Sequence, residues 1–261
     1  MDKIEVKVIA EHGNPAAMMS FLARLTQRGA NITSMSDLES LMDKPASDGL
    51  VRAMVGMDNH KTIRRFTPIT VAIVGASRRF LAQIRTHSVG LNFVSASLQY
   101  SDYSGKGQFV VPYELFDKPD AKNIYLKCCE NSMSDYAWLV EQESCSNDTA
   151  GYAAPQGLRN ILIIQGNHDA WLNMIKLRTC NRNTVETQYV MLRIWEELLK
   201  TQDGQAMFEF AGPDCAFGGC KEGKFCCGEP WRAKVRNART MSISLPRYII
   251  DERWPLLTGA P

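Results

Sequence analysis

Charged and apolar residues alternate through residues 3–10 (KIEVKVIA), the period-two pattern of a half-buried strand. The period then lengthens. After Asn14-Pro15, residues Met18, Met19, Phe21, Leu22 and Leu25 recur at helical spacing, with Gly29 near the end. Residues 33–43, with Ser34, Ser36 and Asp37 ahead of Leu38, Leu41 and Met42, predict a second helix, and residues 47–57 a third. Residues 69–75 (ITVAIVG) are β-branched and apolar on both faces, which predicts a buried strand. Ser77 then caps a helix over RRFLAQIRTH whose Phe80, Leu81 and Ile84 face the core. A long amphipathic helix is expected over 121–143, burying Ile124, Leu126, Tyr136, Trp138 and Leu139. Residues 158–167 read as a second buried strand, and 168–178 as a helix that Asp169 helps to start. Residues 184–200 carry the longest convincing helical period, through Val185, Tyr189, Leu192, Trp195 and Leu199. Beyond Gly212 that period is lost to Gly, Cys, Lys and Pro. The expected organisation is a main domain over 1–211 and a Cys-rich extension over 212–261.

Composition narrows this picture little. At 261 residues the chain suits one large domain or two small ones, and 45% apolar with 22% charged residues is ordinary for a globular protein. A net charge of +2 gives no argument for nucleic acid or a membrane surface. No apolar run approaches the roughly 20 residues of a membrane span. The N-terminal MDKIEVKVIAEHG has no signal-peptide core, so a cytoplasmic protein is expected. There is no G-x-G-x-x-G after a strand, no Walker loop, no H-E-x-x-H and no G-x-S-x-G.

Candidate chemistry concentrates in residues 83–103, QIRTHSVGLNFVSASLQYSDY. Arg85, Thr86, His87, Ser88, Asn92, Ser95, Ser97, Gln99 and Tyr100 crowd into one segment straight after an apolar strand and a helix. A merely connecting loop would carry more Gly and Pro, so this density points to a surface for a polar ligand. Ser97 has no His or Lys at a diagnostic spacing, so a hydroxyl that donates to substrate is favoured over a nucleophile. Near the C-terminus, Cys215-x4-Cys220-x5-Cys226-Cys227 carries four thiols. They read either as reduced, redox-labile cysteines or as ligands of zinc or an iron–sulfur cluster, although neither half has the C-x2-C knuckle.

The order of the 83–103 segment, an Arg-x-His step followed by Ser-x-Ser-x-x-Tyr, resembles the signature of the flavin-dependent thymidylate synthases. Asn59-His60-Lys61-Thr62 resembles that family's Gly-His-Glu-Ser/Thr step, and Pro155, Asn167, Asn173, Leu177-Arg178 and Glu186 match its Pro…Asn…Asn…Leu-Arg…Glu spacing without gaps. The resemblance covers roughly residues 55–200. Some positions depart from it. The family's Arg-His-Arg stands as Thr86-His87-Ser88, its acid as Ser95, one nucleotide-binding Arg as Gln99 and another as Gly151. Arg85 and Arg159 are neighbouring cations that could compensate.

The resemblance implies an α+β fold with a mixed or antiparallel central sheet flanked by long helices. It implies reductive methylation of dUMP at C5, using FAD, NADPH as reductant and methylenetetrahydrofolate as carbon donor. It further implies a homotetramer with sites shared between subunits, taking small-molecule ligands and neither nucleic acid nor membrane. The substrate contacts it implies are Gln83, Ile84, Arg85, Thr86, Ser95, Ala96, Ser97, Leu98, Gln99 and Arg178, with Arg178 favouring ionisation at pyrimidine N3. The cofactor contacts it implies are Thr62, Thr86, His87, Ser88, Ser95, Asn167 and Asn173. Without the resemblance, His87 reads as a helix-terminal histidine, and Arg178 as a helix cap or a partner of Glu186. A diverged flavin- or nucleotide-binding protein without methyl transfer is the alternative function.

Overall fold

The computed structural model of the chain describes residues 4–56, 61–208, 211–228 and 257–258. Strand β1 (Glu5–Glu11) leads into helices α1 (Pro15–Arg28), α2 (Met35–Met42) and α3 (Asp48–Gly56). Asn14 accepts from the Ala17 N–H, and Pro15 opens α1, where a missing donor costs nothing. Ser34 and Asp37 form a reciprocal capping box on α2. Strand β2 (Pro68–Ser77) runs straight into α4 (Arg78–Ile84), with the Ser77 hydroxyl accepting from the Phe80 N–H. Strands β3 (Leu91–Ser95) and β4 (Phe109–Val110), then helices α5 (Pro119–Glu141) and α6 (Asn147–Ala150), follow. Strand β5 (Arg159–Asn167) passes without a break into α7 (His168–Arg178). Helices α8 (Val185–Leu199), α9 (Gly204–Met207) and α10 (Asp214–Phe217) and strand β6 (Leu257–Thr258) end the order.

The main sheet has the order β1-β2-β5-β3, and each ladder is antiparallel. Its register sets Val71 opposite Ile164 and Ile73 opposite Leu162, and these four side chains are buried in the main core. Trp171 and Ile175 of α7 and Met19 of α1 belong to the same core, with α8 at its centre. Tyr189, Val190, Met191, Leu192, Ile194 and Trp195 are all buried, so α8 is apolar around most of its circumference, as a helix enclosed by its own domain must be.

Three expectations need correction. The strands β2 and β5 are deeply buried on one face only; the other face carries Ile161, and Val94 of β3, both exposed. Residues 91–95, expected as part of a ligand loop, form the edge strand β3, with Leu91 buried and Asn92 and Val94 turned outward. Helix α5 buries Cys129, Met133 and Tyr136, while Ile124 and Trp138 are 67% and 53% exposed. The reason is that α5 packs against a small second core of Leu98, Phe109 and Leu158, which accepts only one narrow stripe of the helix. Ala211 and Cys215 also join the main core, and residues 229–256 lie outside the described residues.

Candidate functional site

The two direct strand-to-helix junctions send α4 and α7 off neighbouring strands, and the helices end side by side. At that meeting point stands Arg178, the last residue of α7. Its Nε donates to His87 Nε2 at 2.6 Å, Nη1 to Asn183 Oδ1 at 3.0 Å, and Nη2 to the Gln83 carbonyl at 3.1 Å and the Thr86 hydroxyl at 2.9 Å. Four of the five guanidinium N–H groups are thereby committed, and the fork has a fixed plane. His87 accepts at Nε2, which places the proton of its neutral ring on Nδ1. Burial first, and the Arg178 charge second, hold this histidine below the ordinary imidazole range.

Arg178 serves neither of the plain alternatives. It does not reach Glu186, whose carboxylate instead accepts from the Ser77 N–H at 2.7 Å and the Ser77 hydroxyl at 2.6 Å. Burial pushes the Glu186 carboxyl up, and Ser77 opposes this. Nor does Arg178 cap α7: the Leu177 carbonyl accepts from Asn183 Nδ2, and the Ile175 carbonyl from the Thr179 hydroxyl.

The remaining expected contacts divide. Gln83 Oε1 lies 2.7 Å from the Thr187 hydroxyl and 3.0 Å from that of Thr184, beside the Arg178 cluster. Arg85 Nη2 donates to Ser95 Oγ at 2.6 Å, which brings a cation onto the polar segment where the family's acid would stand. Ser97 Oγ accepts from the Gln99 N–H, and Ser88 and Gln99 are exposed. Two of the expected substrate positions present no free side chain. The Ile84 side chain is fully buried in the main core, and Leu98 is buried in the second core against Gly151, where an added Cβ would lie 3.1 Å from Leu98 Cβ. Ala96 is committed through its backbone, its N–H to Ile161 and its carbonyl to Asn160.

Asn167 is the N-cap of α7: its Oδ1 accepts from the Ala170 N–H, and its Nδ2 packs where a side chain on Gly90 would lie. Gly90 has φ +73°, so the turn that presses on Asn167 favours glycine twice over. Asn173 instead lines an open cavity of 290 Å³ with Lys61, Arg64, Asp169, Lys176, Asp214 and Lys221. Arg64, nearly fully buried, pairs with Asp169 at 2.9 Å, and its Nε is buried without a partner. Thr62 is exposed one residue from Lys61; Asn59 and His60 lie outside the described residues. Sequence reasoning missed Lys61, Arg64, Asp169, Asn183, Thr184 and Thr187. Local signals existed for three of them: Lys61 lies inside the family-like Asn59–Thr62 step, Asp169 at a helix start and Thr184 at an N-cap position.

Of the four C-terminal cysteines, Cys220 and Cys226 touch one another, and Cys215 and Cys220 line one cavity with Cys180. Cys215 is buried, Cys220, Cys226 and Cys227 are exposed, and among the described residues no three His, Cys, Asp or Glu side chains are placed to hold a metal ion. The expected zinc or iron–sulfur set is thus not assembled, because Cys215 serves the core. In the native protein, Cys128, Cys220, Cys226 and Cys227 are expected to react quickly with a thiol reagent, and Cys129 and Cys215 only after unfolding. Mass spectrometry of partly labelled protein checks this; fast labelling of Cys215 would contradict its burial.

The comparisons with known proteins agree with this fold. Residues 7–202 match the family model described as thymidylate synthase complementing protein. A flavin-dependent thymidylate synthase of Geobacter sulfurreducens is 25% identical over 92% of this chain and 100% of its own length. One from Clostridium tetani is 22% identical over 87% of this chain and 94% of its own. Among solved structures, thymidylate synthase X of Helicobacter pylori with FAD and dUMP superposes with a TM-score of 0.60 at 16% identity, over 78% of this chain and 95% of that one. The UMP/dUMP methylase PolB of Streptomyces cacaoi, bound with 5-Br dUMP, superposes with a TM-score of 0.63 at 14% identity, over 81% of this chain and 97% of that one. With three quarters of its length inside the family model, the chain belongs to the thymidylate synthase complementing protein family.

Proposed function

We propose that the chain is an FAD-dependent thymidylate synthase that methylates dUMP at C5 to give dTMP. Methylenetetrahydrofolate gives the carbon and leaves as tetrahydrofolate, and NADPH is the ultimate hydride source. The observation that carries this reading is the seat of Arg178, a guanidinium locked by four acceptors with an N–H to spare. A fixed cation beside a uracil stabilises negative charge at N3 and so raises electron density at C5, a weak nucleophile otherwise. Gln83, held by Thr184 and Thr187, and the Arg85–Ser95 pair stand close by for the base and the phosphate.

The chain also fits the flavin. The cavity around Asn173 sets four cations, Lys61, Arg64, Lys176 and Lys221, against the two carboxylates of Asp169 and Asp214, and it includes a residue with an orphaned buried donor, Arg64. That balance suits a pyrophosphate. Lys61, Arg64, Lys176 and Lys221 would neutralise the FAD phosphates and Asn173 would help to orient it; the flavin, when bound, would supply hydride-transfer chemistry. The exposed Val94 and Ile161 on the outer sheet face support a homotetramer with shared sites. Among the described residues no helix is long and apolar enough to cross a membrane, and the cytoplasm is the proposed location.

Two measurements test this. The protein is expected to purify yellow or to bind FAD saturably, and Lys61→Glu or Asn173→Ala to weaken that binding about tenfold or more without lowering the melting temperature, the scale of a charge-assisted hydrogen bond. With FAD, NADPH and methylenetetrahydrofolate, dUMP is expected to yield dTMP. Absence of FAD binding by calorimetry would overturn the cofactor assignment; FAD binding without dTMP formation would favour the non-methylating alternative.

A further inference from the structure

The plane of Arg178 is set from one side by a residue that no family pattern singled out. Asn183 Oδ1 accepts from Arg178 Nη1 at 3.0 Å, while its Nδ2 donates to the Leu177 carbonyl at 2.7 Å and the Cys180 carbonyl at 3.1 Å. A guanidinium offers only donors and a carbonyl only acceptors, so this amide fits its surroundings in one orientation. It closes the C-terminal end of α7 and aims the Arg178 fork in a single stroke.

Asn183 is itself held from the core outward. Its N–H donates to the Cys180 carbonyl, and buried Gln188 of α8 donates from Nε2 to the Thr179 carbonyl and to Asn181 Oδ1, both at 2.8 Å. The short loop between α7 and α8 is therefore stapled to α8 just ahead of Asn183. The other Arg178 contacts, from Gln83, Thr86 and His87, all come from the end of α4. Among the described residues only Asn183 ties the guanidinium to a second element, and it alone holds the Nη1 arm of the fork.

We propose that Asn183 is a positioning residue for Arg178, holding its guanidinium in the orientation that meets charge developing on the pyrimidine. The inference rests on the assignment of Arg178 to the pyrimidine made above. A preorganised donor matters most where charge appears during reaction, so the loss of Asn183 should fall on kcat rather than on ground-state binding.

The test compares Asn183→Ala, Asn183→Asp, Arg178→Ala and the double variant Asn183→Ala/Arg178→Ala on FAD-loaded protein. Asn183→Ala is expected to lower kcat for dUMP about ten- to a hundredfold, the scale of a catalytic group misplaced by about 1 Å. The KM for dUMP should change less than about threefold, because uniform binding is untouched. Asn183→Asp keeps an acceptor for Arg178 but loses the side-chain N–H donors to the Leu177 and Cys180 carbonyls. It should recover kcat to within about fivefold of the parent, since a charged acceptor pairs well with a guanidinium. In the Arg178→Ala background, Asn183→Ala should cost less than about twofold further, because residues that act as a unit are not additive. An unchanged kcat in folded Asn183→Ala, or an equal loss in both backgrounds, would overturn the inference. If Asn183→Ala does not fold, Asn183→Asp decides: a purely structural amide predicts that it melts low and works poorly, a positioning amide that it works. Wild-type turnover in Arg178→Ala would instead sink the functional reading on which the inference stands.

Discussion

Arg178→Ala is expected to cut dUMP-dependent turnover by about two orders of magnitude or more while leaving the fold and most FAD binding in place, the range for losing a preorganised electrostatic donor. The geometry argues for a small structural effect. The α7 carbonyls are satisfied by Asn183 and Thr179 rather than by Arg178, and the groups that Arg178 leaves behind are partly exposed, so water can replace it. Arg178→Lys should fall between the two, because it keeps the charge and loses the planar fork that reaches His87, Asn183, Gln83 and Thr86 together. Steady-state kinetics and thermal melts on the same variants check this. A drop of several degrees in melting with turnover per folded molecule unchanged would identify Arg178 as a structural residue.

The second large effect is on acid stability. His168, the first residue of α7, is fully buried against the Phe208 ring, with centroids 4.7 Å apart and both ring nitrogens unpartnered. Burial, and then the charge of Arg64, push its pKa down to about 3. The unfolded chain takes up this proton near the ordinary histidine value and the folded chain does not. Folding therefore loses stability progressively as pH falls from about 6.5 towards 3. Between pH 7.5 and 4.5 this group should cost about 2–3 kcal/mol. Glu186, pushed up by burial, works in the opposite direction, so the informative quantity is the difference between variants. Urea unfolding of wild type and His168→Leu at both pH values should show a loss in the wild type that the variant lacks by this amount. Equal losses would mean that His168 titrates normally.

Neither His168 nor Asn183 was visible in the sequence as anything special, and the reason is the same for both. Each is polar at a helix end, where a polar residue needs no explanation, and only the tertiary structure buries the first and turns the second onto Arg178. What was legible had strong local causes. Helix α7 begins and ends where expected because Asn167 caps it and Thr179 turns its end, and α8 matches its apolar period to within a residue at each end. Strand β3 was hidden because its alternation spans five residues amid hydroxyl side chains, too short for a period to speak against composition. The α5 stripe was misjudged because the large apolar Ile124 and Trp138 outweighed Cys129 and Met133 in the pattern, whereas the small second core selects by position. At the site, Gly151 stands close against Leu98, so a side chain there would press on the second core. The cation near Ser95 comes from Arg85.

The order β1-β2-β5-β3 bears on how the chain is made. None of the three ladders of the main sheet joins strands through a tight hairpin. The partners β1 and β2 are separated by α1, α2 and α3, while β5 must meet both β2 and β3 across α5 and α6. Pairings this distant in sequence close late and slow the search for the native state. During synthesis β1 waits for β2, and β2 and β3 then present open edges until residues 159–167 leave the ribosome. One of the two inner strands in space, β5, is the last of the four to arrive in time. Aggregation in the nascent chain should accordingly be most acute in the interval before β5 emerges, when an apolar strand rich in Ile and Val has one unpaired side.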